Sequence, residues 1–519
     1  MSATTFNLAD LMEDMADTLG DRLALVCGDT EHSFAQLDAR ATRLANHWKG
    51  LGVQSGEHIG LYLYNRAEYI ECMLAAFKLG AVTININYRY VASELAYVVD
   101  NADLVGLVVE PELVAEVERA GITGLRFVAA LGPDYEAGLA AASPDRDFAP
   151  RTGEEHWIIY TGGTTGMPRG VMWQHKDLFF AALQGGNPGG DPHSTPQEVA
   201  ATALRNGEGL NVHPAAPLIH GAAMLGGWIA MLSGGCAVYV EGRGFHPERT
   251  LDLAQKYDCG AINLVGDAMA RPLADCMAAN PGRWDLSMLN AVASAGAILS
   301  ASVREQLEEL LPNTMVLNNF GASETGHQGT AFYEGGEAIW VMDEEHTSVI
   351  NERGERVKPG EVGLLARSGH IPVGYYGDPE KTERTFKTFG GVRYVIPGDM
   401  ATVDEEGSVV FLGRGAVCIN SGGEKVYPEE VEEALKGHPA VFDAVVVGIK
   451  DQRWGQRVEA VLTLREGVEA DLADIDAHCR SKVAGYKTPR RIHVVSDLNR
   501  HPSGKPDYAW ARHYAEEQS

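Results

Sequence analysis

A glycine- and threonine-rich segment between two apolar strands constrains the fold of this chain more than any other feature. The segment covers residues 160–170 and reads YTGGTTGMPRG, with apolar runs at 157–160 and 171–173 on either side. Its glycines let the backbone approach a ligand closely, and successive N–H groups in such a turn can bind an anion. The spacing of a Walker A loop is absent, and a strand pattern follows where that loop would need a helix. The segment therefore predicts an anion-binding turn between two strands.

Changes of pattern along the chain divide it into regions. Residues 1–150 alternate strands with apolar-faced helices such as 66–79, which is typical of a parallel sheet with helices on both faces. Residues 360–413 contain short strands and turns, which indicates a small β-rich subdomain. The pattern of helices and strands then starts again and is long enough for a separate core. We therefore predict an α/β fold with a large N-terminal domain of layered α/β/α sheets and a β-rich subdomain (1–413), and a small α+β C-terminal domain (414–519).

Charge and cysteine usage exclude several classes of partner. The formal net charge is −28, from 43 basic and 71 acidic residues, which argues against binding to nucleic acid or to an anionic membrane. Seven scattered cysteines without CxxC spacing indicate reduced thiols in a reducing compartment. The N-terminus lacks a basic region followed by an apolar one, and no apolar run approaches about 18 residues. We expect a cytoplasmic protein without stable membrane insertion.

A second polar segment combines several kinds of binding group. Residues 319–325 read NFGASET and offer an aromatic face, a hydroxyl and a carboxylate. Magnesium ions commonly bind through one or two protein carboxylates together with substrate phosphates. A single glutamate such as Glu324 is therefore chemically sufficient as the protein ligand of such an ion.

These two segments, followed by Gly398-Asp399, Gly413-Arg414 and a final PSGK sequence, resemble the adenylate-forming superfamily. The superfamily includes acyl-CoA synthetases, adenylation domains of peptide synthetases and luciferases, and the resemblance covers the whole chain. It implies that ATP and a carboxylic acid form acyl-AMP and pyrophosphate, and that coenzyme A then displaces AMP. It also implies that the C-terminal domain is mobile and rotates between the two steps. Two positions depart from the family pattern: Arg169 replaces the usual lysine, and Ala416 replaces the usual Asp or Lys of the hinge.

The resemblance assigns nucleotide-binding residues one by one. Phe320 is expected against adenine, Ser323 near the α-phosphate, and Asp399 with Arg414 at the ribose. Glu324 and Thr161 are expected to hold Mg²⁺. The nucleotide-binding positions implied are Thr161, Gly162, Gly163, Thr164, Thr165, Gly166, Gly296, Ala297, Asn319, Phe320, Gly321, Ser323, Asp399 and Arg414.

The resemblance also implies catalytic and CoA-binding residues. Lys505 is expected to bridge the substrate carboxylate and the α-phosphate, two anions whose reaction a nearby cation would favour in the transition state. His220 matches a gate beside the acyl group, and Arg169 completes the predicted catalytic set. The positions expected along the pantetheine chain of CoA are Ser421, Gly422 and Gly423.

The acid itself is predicted only by class. The candidate acyl-pocket residues Ala222, Met224, Gly226 and Ala295 are small or apolar, which suits a bulky or long acid. No Asp occurs between residues 214 and 235 to pair with the amine of an amino acid. Segments 163–173, 266–272 and 421–428 look like those of actinobacterial acyl-CoA synthetases that act on fatty acids and steroid side chains. We therefore expect a hydrophobic acid of that kind.

Three alternatives stay open from the sequence. The acid could be an aryl or arylalkanoic acid, the acceptor could be a carrier protein, or the chain could be a non-catalytic sensor of nucleotide or acyl-CoA. Because no carrier-protein segment follows in this sequence, we expect free CoA as the acceptor. A homodimer is an open alternative to a monomer.

Overall fold

The computed structural model describes residues 4–163, 166–297, 299–334, 337–405, 407–421, 424–451, 454–468, 471–500 and 505–518. These residues form four β-sheets connected by helices, which confirms the predicted α/β class. The α-helices are α1 Leu8–Leu19, α2 Phe34–Gly50, α3 Ala67–Leu79, α4 Ala92–Asn101, α5 Val114–Arg119, α6 Pro133–Ala141, α7 His175–Ala182, α8 Pro196–Arg205, α9 Gly221–Leu232, α10 Pro247–Lys256, α11 Gly266–Ala279, α12 Ala301–Leu310, α13 Pro379–Thr385, α14 Pro428–Lys436, α15 Leu472–Lys482 and α16 Tyr508–Glu517. Short 3₁₀ turns cover Pro111–Leu113, Gln184–Gly186 and Gly415–Val417.

The first two sheets contain most of the N-terminal strands. Their strands are β1 Leu23–Cys27, β2 Thr30–Ser33, β3 His58–Tyr62, β4 Val82–Asn85, β5 Leu104–Val109, β6 Phe127–Ala130, β7 His156–Gly163, β8 Gly166–Gln174, β9 Val212–Pro214, β10 Ala237–Tyr239, β11 Ala261–Leu264, β12 Ala291–Ala295, β13 Met315–Ala322, β14 Gly326–Glu334, β15 Glu337–Met342 and, from later in the chain, β18 Gly374–Tyr375. In the first sheet the order is β15-β14-β13-β12-β11-β9-β10-β1-β2, and the neighbours from β1 to β13 pair in parallel. In the second sheet the order is β18-β8-β7-β4-β3-β5-β6.

Two smaller sheets follow along the chain. The third contains β16 Thr347–Ile350, β17 Val362–Arg367, β19 Phe386–Phe389, β20 Val392–Val395, β21 Asp399–Val403 and β22 Val409–Arg414. The fourth contains β23 Ile419–Ser421, β24 Glu424–Val426, β25 Val441–Asp451, β26 Gly455–Leu464 and β27 Arg491–Val494. Apolar residues of β25, β26, α14 and α15 form a buried cluster of their own. The C-terminal region thus has the separate core that its sequence pattern requires.

Local sequence explains where several of these elements begin and turn. Helix α2 begins after Ser33, whose side chain accepts from the Gln36 backbone while the Gln36 side chain accepts from the Ser33 backbone. This reciprocal capping satisfies two N–H groups that a helix start otherwise leaves unpaired. Strand β12 ends at Ala295, and Gly296 follows with a φ of 79°, which a residue with a side chain adopts only at a cost. The glycine turns the chain at the carboxyl edge of the first sheet.

A buried histidine in β9 links stability to pH. His213 Nδ1 lies 2.7 Å from the carbonyl of Val238 and Nε2 lies 3.2 Å from the Thr250 hydroxyl. Complete burial lowers the pKa of this imidazole to about 4, although the Val238 carbonyl acts in the opposite direction. The unfolded chain takes up a proton near pH 6.5 whereas the folded chain does not until about pH 4, so acid favours unfolding.

We expect this histidine alone to reduce the free energy of unfolding by about 2 kcal/mol between pH 7 and pH 5. Melting temperatures of the wild type and of His213→Asn, measured across this range, test the effect. The wild type should lose more stability on acidification than the variant. Equal losses in both proteins would rule out His213 as the titrating group.

Candidate active site

A cavity of about 840 Å³ opens at the carboxyl edge of the first sheet. Helix α9, the ends of β12 and β13, the β7–β8 hairpin and Lys505 all contribute to its wall. Ligands of α/β proteins bind preferentially outside the carboxyl ends of parallel strands. The predicted residues that line this cavity are Thr161, His220, Ala222, Gly226, Ala295, Gly296, Asn319, Phe320, Gly321, Ser323 and Lys505.

Not every predicted residue joins this wall. Met224 does not: its side chain is only 1% exposed and packs in the main hydrophobic core. The reason is helical geometry, because Met224 lies two residues from both Ala222 and Gly226 and therefore points to the opposite side of α9. Ala297 lies beyond the cavity and packs against a small cluster around Ala223.

Several predicted residues lie in the β7–β8 hairpin, named the phosphate hairpin here after its predicted ligand, and in the segment 421–423 that is predicted to bind CoA. Gly162 and Gly163 end β7, Gly166 begins β8, and Gly163 pairs with Gly166 across the hairpin. Ser421 ends β23 and pairs with Gly455. Two pairs of predicted residues, Thr164 with Thr165 and Gly422 with Gly423, lie outside the described residues.

Arg169 lies on the phosphate hairpin but outside the cavity wall. It pairs across the strands with Thr161, which lines the cavity. Its Nε lies 2.9 Å from Oδ2 of Asp378, and its side chain is 43% exposed. Asp378 also caps α13 by accepting from the backbone of Lys381. Asp378 therefore holds the Arg169 guanidinium outside the cavity, although the strand partner of Arg169 lines the cavity wall.

The segment that contains Ser323 and Glu324 is fixed against the same hairpin. The Trp173 indole donates to the Ser323 carbonyl at 2.8 Å, and the Tyr375 hydroxyl donates to Glu324 Oε1 at 2.8 Å. Burial and the adjacent Glu324 carboxylate raise the pKa of Tyr375, so this hydroxyl keeps its proton. Among the described residues, Tyr375 is the partner that bonds the Glu324 carboxylate. An anchored carboxylate beside a phosphate-binding turn fits the donor set that magnesium takes with a nucleotide.

Asp399 and Arg414 are brought together by strand pairing. Asp399 begins β21, Arg414 ends β22, and the two are opposite each other in the antiparallel register. Asp399 is 4% exposed and forms part of the third sheet rather than of the cavity wall. The register thus brings together two residues that are fifteen positions apart in the chain.

Asn85 supports the site, and sequence reasoning missed it. Its Nδ2 donates to the carbonyls of Tyr160 and Ile219 at 2.8 and 2.7 Å, and its Oδ1 accepts from the Tyr160 backbone at 2.8 Å. One side chain thereby connects the phosphate hairpin to the turn before His220. A polar residue that ends a buried parallel strand was the signal available in the sequence.

A second group of unpredicted residues also lines the cavity. They are Asn87, Arg89, Tyr90 and Glu94, which follow β4. Arg89 is exposed, and its guanidinium lies 5.4 Å from the centre of the Tyr88 ring. Within the described part of the chain, no carboxylate forms an ion pair with Arg89. This cation is available to an anionic ligand that enters from that side.

The cavity continues from its polar mouth into an apolar slot beneath α9. Alternate residues of neighbouring strands form one wall of this slot, and Leu225 and Ile229 of α9 form the other. Alternate residues of a strand share one face of the sheet, so the small side chains of β12 leave room along its length. The strand residues of the slot are Val212, Ala261, Asn263, Ala291, Ala293 and Leu317.

The C-terminal region docks beside the cavity through buried charges. Lys436 Nζ of α14 lies 3.4 Å from Asp267 Oδ2 of α11, with both side chains nearly inaccessible. Burial opposes the charge on Lys436, but Asp267 and other nearby carboxylates outweigh it and raise its pKa. The Glu433 carboxylate accepts from the Ala301 backbone at 2.7 Å, at the start of α12. These contacts hold the region in the arrangement in which Lys505 lines the cavity.

No helix in the part of the chain described here is long and apolar enough to cross a bilayer. Within the same residues, no group of three or more His, Cys, Asp or Glu side chains is placed to hold a metal ion.

Comparison with known families and proteins gives consistent matches. Residues 12–376 match the family described as AMP-binding enzyme, and residues 430–505 match the AMP-binding enzyme C-terminal domain. The medium/long-chain-fatty-acid–CoA/3-oxocholest-4-en-26-oate–CoA ligase of Mycobacterium tuberculosis (strain ATCC 25618 / H37Rv) is 42% identical, covering 99% of this chain and 97% of that protein. The 3-oxocholest-4-en-26-oate–CoA ligase of Rhodococcus rhodochrous is 43% identical, covering 98% of this chain and 95% of that protein.

Solved structures show the same fold. The anthranilate CoA ligase AuaEII in complex with anthranoyl-AMP superposes with a TM-score of 0.86 at 24% identity, covering 99% of this chain and 98% of that chain. ATP-bound MatB from Rhodopseudomonas palustris superposes with a TM-score of 0.82 at 24% identity, covering 98% of this chain and 99% of that chain.

Proposed function

This chain belongs to the family of AMP-binding enzymes and is an acyl-CoA synthetase, and on that premise we propose that its acid is a fatty acid or a steroid side-chain acid. ATP and CoA are its co-substrates. The observation that carries the proposal is the continuity of one cavity, which joins the phosphate hairpin and Lys505 to a long apolar slot. The names of the two relatives, which are both CoA ligases of hydrophobic acids, support the same class of substrate.

In the first step the acid lies in the slot with its carboxylate at the strand ends, near Gly296 and Ser323. An oxygen of this carboxylate attacks the α-phosphorus of ATP, and pyrophosphate leaves. Lys505 offsets the repulsion between the two anions and the negative charge that grows in the transition state. The backbone N–H groups of the hairpin bind the outer phosphates.

A magnesium ion is implied by this chemistry, and the site residues fit it. Glu324 would hold the ion together with the phosphate oxygens and with Thr161 of β7. When bound, the ion supplies neutralisation of the phosphate charge. The hydrogen bond from Tyr375 to Oε1 keeps the Glu324 carboxylate in place. Asp399 and Arg414 would contact the ribose from neighbouring strands.

For the second step we propose a rigid-body movement of the C-terminal domain, residues 414–519, relative to residues 1–413. The short turn Gly415–Val417, which contains Ala416, would act as the hinge. Movement would withdraw Lys505 and break the Lys436–Asp267 contact. The strand that ends at Ser421 would then line the path of the pantetheine chain, whose thiolate attacks the acyl carbonyl as AMP leaves.

A substrate panel tests the proposed function. The purified protein is incubated with ATP, magnesium and CoA and with matched fatty, steroid side-chain and arylalkanoic acids, and AMP and acyl-CoA are quantified by mass spectrometry. We expect acyl-CoA from fatty or steroid acids and much less from aryl acids. Accumulation of acyl-AMP without acyl-CoA would favour delivery to a carrier protein. Nucleotide binding without turnover of any acid would favour a sensor.

Arg89 should affect the thiol step more than adenylation. It is an exposed cation that lines the cavity, and the phosphates of CoA would lie beside it if the pantetheine chain entered from that side. We expect Arg89→Ala to raise the KM for CoA about tenfold, because a hydrogen bond to a charged group contributes about 1.5–3 kcal/mol. Acid-dependent exchange between pyrophosphate and ATP should change little. The control is Arg353→Ala, which removes an exposed arginine elsewhere. An unchanged KM for CoA would show that CoA does not use this side of the cavity.

A further inference from the structure

Asn263 is the exception in the apolar slot. Its neighbours on the strand wall are Ala261, Ala293 and Leu317, whereas Asn263 presents a carboxamide to the cavity. The side chain is half-buried and has no hydrogen bond to any described residue. A hydrocarbon chain that covered this amide would leave it without a partner, at a cost of about 1–3 kcal/mol, so the group would be unfavourable in a slot that binds only hydrocarbon.

The opposing helix leaves space for this amide. Gly226 of α9 faces Asn263, and a Cβ built at Gly226 would lie 2.6 Å from Asn263 Nδ2. Glycine inside a helix costs about 1 kcal/mol relative to alanine. An alanine at 226 facing a leucine at 263 would avoid both the cost of a glycine inside a helix and that of an unpaired amide. The chain instead has Gly226 and Asn263, which keep a polar group in the wall of the slot.

Strand register gives the depth of the amide. Asn263 lies opposite Ala293, and Ala293 lies opposite Leu317. The cavity mouth is two residues further along, where Ala295 lies opposite Asn319. Two residues of a strand span about 6.6 Å. The carboxamide is thus about 7 Å below the strand ends, where the proposed function places the carboxylate of the acid.

We propose that Asn263 recognises an oxygen substituent, a ketone or a hydroxyl, on the acyl chain about 7 Å from its carboxyl group. This inference rests on the proposed function and narrows its substrate class to oxygenated hydrophobic acids. A carboxamide both donates and accepts, so it can donate to a ketone oxygen and can exchange either role with a hydroxyl. The apolar slot binds the hydrocarbon, and hydrogen bonding to the amide favours the oxygenated acid over the unsubstituted acid.

The test compares three acids of one chain length: unsubstituted, with a mid-chain ketone, and with a hydroxyl on the same carbon. The quantity measured is the kcat/KM of each oxygenated acid divided by that of the unsubstituted acid. We expect this ratio to be about ten in the wild type and to fall about tenfold in Asn263→Leu, which keeps the shape and removes the amide. Gly226→Ala, whose new methyl group would displace the amide, should lower the ratio as well. Asn263→Leu and Gly226→Ala are each first checked for a wild-type melting profile.

The Asn263→Asp variant distinguishes recognition of a ketone from recognition of a hydroxyl. An ionised carboxylate only accepts, so this variant should lose its preference for the ketone and keep that for the hydroxyl. The inference is overturned if the wild type and Asn263→Leu turn over all three acids in the same ratio. That result leaves the proposed function standing, whereas a protein that forms no acyl-AMP from any acid would contradict the proposed function itself.

Discussion

Replacing Lys505 with alanine should lower the rate of acyl-AMP formation from the free acid at least about a hundredfold, in line with the loss of one preorganised charge-stabilising group. Lys505 reaches the same cavity as Ser323 and His220, although it lies near the other end of the chain. The two reacting groups are both anionic, so the barrier contains a repulsion that a nearby cation reduces.

The same variant should still convert pre-formed acyl-AMP and CoA to acyl-CoA at a rate close to that of the wild type. The measurement follows both half-reactions separately in single-turnover experiments. Lys482→Ala serves as the matched control, because Lys482 is an exposed lysine at the end of α15 in the same region. Equal losses in both half-reactions would mean that Lys505 is a structural or general substrate-binding residue instead.

The second large effect concerns stability. Lys78, at the end of α3, has a fully buried ammonium group that lies 2.6 Å from both Glu13 and Asp38. These carboxylates belong to α1 and α2, so one cation connects three helices of the N-terminal region. Arg151 also contacts Glu13, and Arg146 also contacts Asp38. We expect Lys78→Met to destabilise the protein by about 3–5 kcal/mol, because removing one partner leaves buried carboxylates short of a counter-charge.

Thermal melting and urea unfolding measure this effect. Lys176→Met is the control, since Lys176 is exposed on α7 and the same substitution should change stability by less than about 0.5 kcal/mol. Any loss of activity in Lys78→Met should follow the loss of folded protein, because the ion pairs involve no residue of the cavity wall. A melting temperature equal to that of the wild type would show that Arg151 and Arg146 compensate fully.

Local signals in the sequence were enough to predict much of the fold. The periodicity that predicts a helix over residues 66–79 corresponds to α3, and the short strands predicted over residues 360–413 correspond to strands of the third sheet. Helix α14 has local boundary signals of the same kind, since Pro428 is its first residue and Gly437 follows its end. These elements were predictable because each depends on residues close together in the chain.

Contacts between distant segments were harder to predict. Asn85 donates hydrogen bonds to carbonyl groups 75 and 134 residues away in the chain. The Lys436–Asp267 contact joins α14 of the C-terminal region to α11. Motif resemblance placed Lys505 and Ser323 at one site, and both line the cavity. Motif resemblance could not place Asn263, because its significance depends on the glycine that faces it across the slot. The roles assigned to individual site residues stay predictions until the variants are measured.

Three alanines of β12 lie at successive depths along this slot. Ala295, Ala293 and Ala291 face the cavity at successive depths, each about 6.6 Å below the one before. A bulky residue at any one of them would block the space beneath it while leaving the space above unchanged. Chain-length selectivity can therefore be reset in discrete steps by single substitutions along one strand. Natural variation or protein engineering could therefore change the length of acyl chain that the slot admits without altering the reacting groups at the strand ends.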